Sequence, residues 1–332
     1  MAPDGRWTIG ELAERAGVTV KTVRFYSDRG LLPESGRSAG GHRRYGPEAL
    51  DRLRLIRSLR GLDLPVPDVG RVLDHEDEAL GDVLESVISD RLQVLGPQLA
   101  ALRWREASLR LLRDCDAGER AERLRLIGAV TVPPSTASMA RFWRYWLPPR
   151  LPARVVSAFL DQVVPQLPDD PTPTQVWAFA RMHALVSGNC SGSVRPQPAV
   201  HRPERGYRPA VLYDGLGEAY ALASAELRAG RPPRAGEALD GFVSAYAVSR
   251  GTRDTPDFRR LLGRQLAADP RIDLYWQLTA ELATPPGSPP EPNPGSAHDW
   301  LCAALDAGSA RHEGTSRHEG TSRHEGTSRL GV

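Results

Sequence analysis

The chain has 332 residues, a formal net charge of +2, and hydrophobic and charged fractions of 40% and 25%, values of a globular protein rather than of a chain disordered throughout. Three cysteines, Cys115, Cys190 and Cys302, are too few and too scattered for a disulfide framework. No apolar run approaches the ~18 residues of a membrane span, and the first residues lack the basic start and apolar stretch of a secretory signal. These features predict a cytoplasmic protein with no membrane partner. Charge is unevenly placed: residues 1–60 carry twelve basic against seven acidic side chains, residues 61–130 nine against fourteen. That asymmetry is expected when one end of a chain meets a polyanion.

The first helical pattern covers residues 9–16, with Thr8 as N-cap, Glu11 as its capping-box partner and Gly17 as the stop. Thr19 caps a second helix over 20–28, in which Val20, Val23 and Phe25 can face inward. Two short helices joined by a glycine-containing turn form a helix-turn-helix unit. The Gly/Ser cluster of residues 35–41, flanked by extended residues, predicts a two-stranded wing. Leu50, Leu53, Ile56 and Leu59 then mark a helix to about Arg60, and a short one follows to Leu73.

Residues 79–113 form a long helical segment. Ile88, Leu92, Leu95, Leu99, Leu102 and Leu109 recur in alternating four- and three-residue steps, with Glu106 the polar member of the row. This is a coiled-coil seam, and a second copy of the chain is the simplest way to bury it, so a homodimer is expected. Pro97 predicts a kink near residues 93–97.

Residues 114–131 read as a linker or a short helix. Helical patterns follow at 137–147, 152–164, 174–186, 215–229, 235–250, 255–268 and 271–283, with a weak strand signal at 210–213. After residue 284 the chain is rich in proline and glycine, with one short helix around 298–305. It ends in a three-fold RHEGTS repeat without apolar residues, which predicts disorder. The fold class is mainly α: a winged helix-turn-helix domain at 1–75, a coiled-coil dimerisation helix at 76–115, a helical effector domain at 132–284, and a linker with a disordered tail at 285–332.

The stretch Val23-Arg24-Phe25-Tyr26-Ser27-Asp28-Arg29-Gly30-Leu31-Leu32 and the stretch Arg37-Ser38-Ala39-Gly40-Gly41-His42-Arg43-Arg44-Tyr45 resemble the recognition-helix and wing signatures of the MerR family of transcription regulators. The resemblance covers roughly residues 7–115. It implies an antiparallel dimer that binds an inverted repeat in double-stranded promoter DNA and bends a promoter on which RNA polymerase acts. Ser27 stands where the family usually has glutamate, which predicts the loss of a helix-surface salt bridge.

Phosphates are held by cations, hydroxyls and helix N-termini, and base edges are read in the major groove. Thr19, Lys21 and Thr22 lie in the first turn of the second helix, with Arg24 and Tyr26 after them. Arg37, His42, Arg43 and Arg44 in the wing would hold the backbone, with Tyr45 stacked beneath. Tyr45, Tyr26 and Phe25 can equally be core aromatics.

The signal sensed by the distal part is open. Metal sensing needs clustered thiolates or imidazoles. Cys115 has no second cysteine nearby, and His183, Cys190 and His201 lack ligand spacing, so neither metal nor cofactor is expected. The loop 187–192 carries a serine and a cysteine without the strand–turn–helix setting of a nucleophile, so no catalytic residue is assigned. Seven of the 21 aromatic residues fall between Phe142 and Phe179. Trp143, Trp146 and Trp177 are accordingly candidates for binding a hydrophobic small-molecule effector, with core packing as the competing reading. A ligand-independent repressor or an architectural DNA-binding protein is the alternative function.

Overall fold

The computed structural model describes residues 5–75, 77–148, 151–188, 206–266 and 270–321, with side chains described at all of these but 77–80 and 309–321. The chain divides into two compact units, Met1–Leu99 and Ala100–Val332.

The first unit is built on strand β1 (Trp7–Thr8), helices α1 (Ile9–Ala16) and α2 (Val20–Asp28), strands β2 (Gly36–Arg37) and β3 (Arg43–Tyr45), and helices α3 (Pro47–Gly61) and α4 (Val66–Leu73). The strands form one antiparallel sheet in the order β1-β3-β2, with Trp7 opposite Tyr45 and Gly36 opposite Arg44. The expected two-stranded wing is the β2–β3 hairpin, and β1 adds a third strand to its sheet. Trp7 and Thr8 complete it just before Thr8 turns to cap α1, and two residues are too few to show a strand's alternation. Leu12, Val23, Leu32, Tyr45, Leu53, Ile56 and Val69 are fully buried at its centre. The inward face of α2 differs from expectation: Val23 and Tyr26 are buried, whereas Val20 and Phe25 are 40% and 41% exposed. Phe25 instead lies beneath the Arg29 guanidinium, 4.0 Å from its centroid.

Helix α5 (Asp77–Arg113) continues through Pro97. The second unit comprises the end of α5 and helices α6 (Ala117–Gly128), α7 (Ala137–Trp146), α8 (Ala153–Val163), α9 (Pro173–Ser187), α10 (Pro209–Arg228), α11 (Glu237–Ser249), α12 (Pro256–Gln265), α13 (Pro270–Ala283) and α14 (Pro294–Thr321). Residues 117–128 thus form a helix rather than a linker, and the weak strand signal at 210–213 lies inside α10. Two apolar clusters fill this unit. One gathers α6–α9 and α13 around Val176, Phe179 and Met182. The other gathers α10, α11, α12 and α14 around Phe242, Val243 and Leu262. Three stretches outside 132–284 contribute buried side chains: Trp104, Ala107 and Leu111 from α5, Leu126, Ile127 and Val130 at and just past the end of α6, and Ala297, Trp300, Leu301, Ala304 and Leu305 from α14. Cys190, His201 and residues 322–332 of the repeat tail lie outside the described residues.

Candidate nucleic-acid interface

Local backbone chemistry places the helix-turn-helix. The Thr8 hydroxyl accepts from Glu11 N at 3.2 Å, and the Thr8 N–H donates to the Glu11 carboxylate at 2.8 Å. The Thr8 hydroxyl also donates to that carboxylate at 3.0 Å, and the two donations, the backbone one first, hold the Glu11 carboxyl below its usual range. Gly17 ends α1 with φ 63°, a left-handed conformation that a side chain disfavours. Thr19 then caps α2, its hydroxyl accepting from Thr22 N at 3.1 Å and lying 2.8 Å from the Thr22 hydroxyl. A basic clamp fixes the unit from behind: Arg57 donates to Ala16 O at 2.5 Å and Arg52 to Leu31 O at 2.7 Å.

This scaffold leaves Thr19, Lys21 and Arg24 exposed on α2, with Thr22 half-buried between them. A helix N-terminus carrying two hydroxyls and two cations has donors for both phosphates and base edges. Tyr26, from the same set, points into the core. In the wing, Arg37 and His42 are exposed, whereas Arg43 and Arg44 are half-buried. Tyr45 is fully buried and its hydroxyl donates to Ser27 Oγ at 3.0 Å. Of the two readings open for Tyr45, the structure places it in the core.

Two side chains that the sequence reading did not single out, Asp28 and Glu34, organise the wing. Arg43 Nη1 lies 2.5 Å from Asp28 Oδ1, Arg43 Nε lies 3.3 Å from Glu34 Oε2, and Arg37 Nε lies 2.8 Å from Glu34 Oε1. An ion pair does join the end of α2 to the wing, made by Asp28, one residue after Ser27. Ser27 meanwhile binds the Tyr45 hydroxyl, so helix and wing remain joined at two points. The available signal was the acidic residue beside Ser27.

The seam residues on α5 are all exposed: Ile88 40%, Leu92 64%, Leu95 38%, Leu99 48%, Leu102 59% and Leu109 68%. Other α5 residues, such as Val87, Trp104, Ala107 and Leu111, are buried in the units to which they belong. The effector candidates separate. Trp143 is buried, with ring centroids 5.1 to 5.7 Å from those of Phe142, Phe159, Tyr275 and Trp276. Trp146 and Trp177 are half-buried, the first beneath Arg271 and the second beneath Arg123. Cys115 is buried, and its thiol donates to Leu112 O. No described helix is long and apolar enough to cross a membrane.

Comparison with known proteins agrees with this geometry. Residues 7–76 match the model of the MerR HTH family regulatory proteins. The chain is 33% identical over 102 residues to the mercuric resistance operon regulatory protein of Serratia marcescens, covering 71% of that protein and 31% of this chain. The chain belongs to the MerR family. Another MerR-like relative is the nodulation protein NolA of Bradyrhizobium sp. (strain NC92), 40% identical over 100 residues, or 30% of this chain. That match spans only 41% of NolA's own length. Among solved structures, HiNmlR, a MerR family regulator lacking the sensor domain and bound to promoter DNA, aligns with 32% of this chain and 90% of its own at 25% identity and a TM-score of 0.23. The two sequence similarities each cover about a third of this chain.

Proposed function

We propose that this protein is a transcription regulator whose homodimer binds an inverted repeat in promoter DNA and distorts it for RNA polymerase in response to a small organic effector. The observation that carries this reading is one helix bearing six exposed apolar seam residues, joined in sequence to a head whose α2 N-terminus presents Thr19, Lys21 and Arg24. Covering a leucine side chain contributes roughly 1.5–3 kcal/mol, so a paired seam can supply a stable dimer. Bending a site of this size costs on the order of 1–6 kcal/mol, which contacts from two heads offset. Lys21, Arg24, Arg37, His42, Arg43 and Arg44 are the proposed backbone contacts, and Thr19 and Thr22 frame the end of α2 that enters the groove. The half-exposed faces of Trp146 and Trp177 are the candidates for effector contact.

Analytical ultracentrifugation and a genomic footprint of the purified protein test the proposal together. Dimers protecting a palindrome are expected. Monomers at working concentration, or no fragment retained over random sequence, would overturn it. A second reading, repression without an effector, is favoured by the way neighbouring rings fill the surroundings of Trp143. Titrating tryptophan fluorescence against amphiphilic antibiotics separates the two, since only an effector site gives saturable quenching.

A further inference from the structure

The second unit holds a chemically distinctive trio on α10 and α14. His298 and Cys302 are one turn apart on α14, and Cys302 Sγ lies 3.4 Å from His298 Nε2. The other ring nitrogen, Nδ1, lies 3.1 Å from the Tyr220 hydroxyl of α10. Phe242 of α11 meets the imidazole edge-on, with ring centroids 5.8 Å apart. The ring is therefore fixed in orientation by contacts from two neighbouring helices. Cys302 itself is half-exposed and free.

The separation of the two donor atoms is informative. Zinc–thiolate and zinc–imidazole bonds of about 2.3 and 2.0–2.1 Å, set at a tetrahedral angle, hold sulfur and nitrogen about 3.5 Å apart. A linear two-coordinate ion would need the sum of its two bonds, about 4.4 Å on the same lengths. The observed 3.4 Å is that of a hydrogen bond between Cys302 and His298 and also matches the tetrahedral bite, so a cation replacing the shared proton needs no movement of either donor. Tyr220 occupies the position of the outer partner that a metal-binding histidine usually has: in the tautomer with a proton on Nδ1 its hydroxyl accepts from Nδ1–H, and Nε2 faces Cys302 as the coordinating atom.

We propose that Cys302 and His298 form a binding site for a thiophilic, tetrahedral divalent cation of the zinc type, with Tyr220 as the positioning residue for the imidazole. On binding, the Cys302 S–H bond breaks, its proton leaves to solvent, and a sulfur–metal bond forms. His298 coordinates as the neutral ring through Nε2. Among the described residues no three metal-ligating side chains already converge, so the protein supplies a two-point bite and water fills the remaining positions. Asp299 and Asp306 lie three residues before and four after Cys302, and their charges reach its sulfur. That negative field favours a divalent cation.

Cobalt(II) titration of the full-length protein tests the site, because the thiolate-to-cobalt charge-transfer band reports sulfur ligation. Imidazoles of the terminal repeats cannot produce it. The band should appear in the wild type, persist in Cys115→Ser and vanish in Cys302→Ser. Tyr220→Phe should bind roughly 10- to 100-fold more weakly, the usual effect of losing an outer partner. A wild type without the band, or a band retained in Cys302→Ser, overturns the proposal. Alkylation of Cys302 in the unaltered chain, mapped by mass spectrometry, provides a test free of any folding defect. Zinc should protect the thiol, and equal rates with and without zinc would count against the site.

Discussion

Replacing Arg43 by alanine, beside the same change at Arg24, tests whether both arginines reach DNA phosphates. Arg24 is exposed and enters no ion pair among the described residues. Arg43 is held by Asp28 at 2.5 Å and Glu34 at 3.3 Å, but the Asp28 side chain is 53% exposed. A pair so open to water is weak and exchangeable, so the guanidinium can pass from carboxylate to phosphate. Each phosphate neutralised on duplex DNA contributes about 0.9 to the slope of log affinity against log salt. One lost contact in each of two heads therefore flattens the slope by about 1.8. Over a fourfold change in salt, from about 50 to 200 mM, the variant's deficit should shrink roughly twelvefold. Fluorescence anisotropy on a footprinted palindrome at several salt concentrations measures this directly. Asp28→Ala supplies the complementary arm: it removes the carboxylate that must be left behind, so binding should tighten with an unchanged slope. If Arg43→Ala weakens binding by one constant factor at every salt concentration, Arg43 is a strut between wing and helix, and the reasoning fails.

Leu99→Glu or Leu102→Glu places a charge in the proposed seam, and sedimentation should show monomers that no longer protect a palindrome; an intact dimer would exclude this face as the interface. Gly215→Ala tests the α10–α11 contact, where an added Cβ would come within 2.8 Å of Ala245 Cβ. Overpacking costs about 1–3 kcal/mol and the helix-propensity gain returns up to about 1, so the urea midpoint should fall, and an unchanged midpoint would mean that the helices separate freely. Burial, reinforced by Arg141, holds the His183 imidazole below its ordinary 6.5. The unfolded chain therefore binds the extra proton first, so this contribution is intact above about pH 6.5 and is lost as pH falls toward the depressed native value. Denaturation at about pH 7 and pH 5.5 should show a smaller acid-dependent loss in His183→Gln than in the wild type, and equal losses would refute the assignment.

The parts legible in the sequence are those written in short-range code. Thr8 with Glu11, Gly17 and Thr19 are each satisfied within four residues, and their hydrogen bonds are found where spacing predicts them. The seam repeats every seven residues on a single helix. Failure begins where a decision depends on distant chain. Phe25 and Tyr26 are adjacent aromatics, and only the packed wing decides that Tyr26 is buried. Ala210–Tyr213 suits a strand locally, yet Leu212 and Leu216 belong to the face of α10 that meets α11. The Ser27 departure shows why a one-position reading misleads. Taken alone, it removes a carboxylate from the recognition helix. With β3 folded against α2, Asp28 pairs with Arg43 of the wing, and the hydroxyl of Ser27 gains Tyr45 as partner. His298 and Cys302 stand four residues apart and could have been paired on a helix, but Tyr220 is 78 residues from His298. The chemistry of that imidazole depends on a contact that periodicity along one segment does not encode.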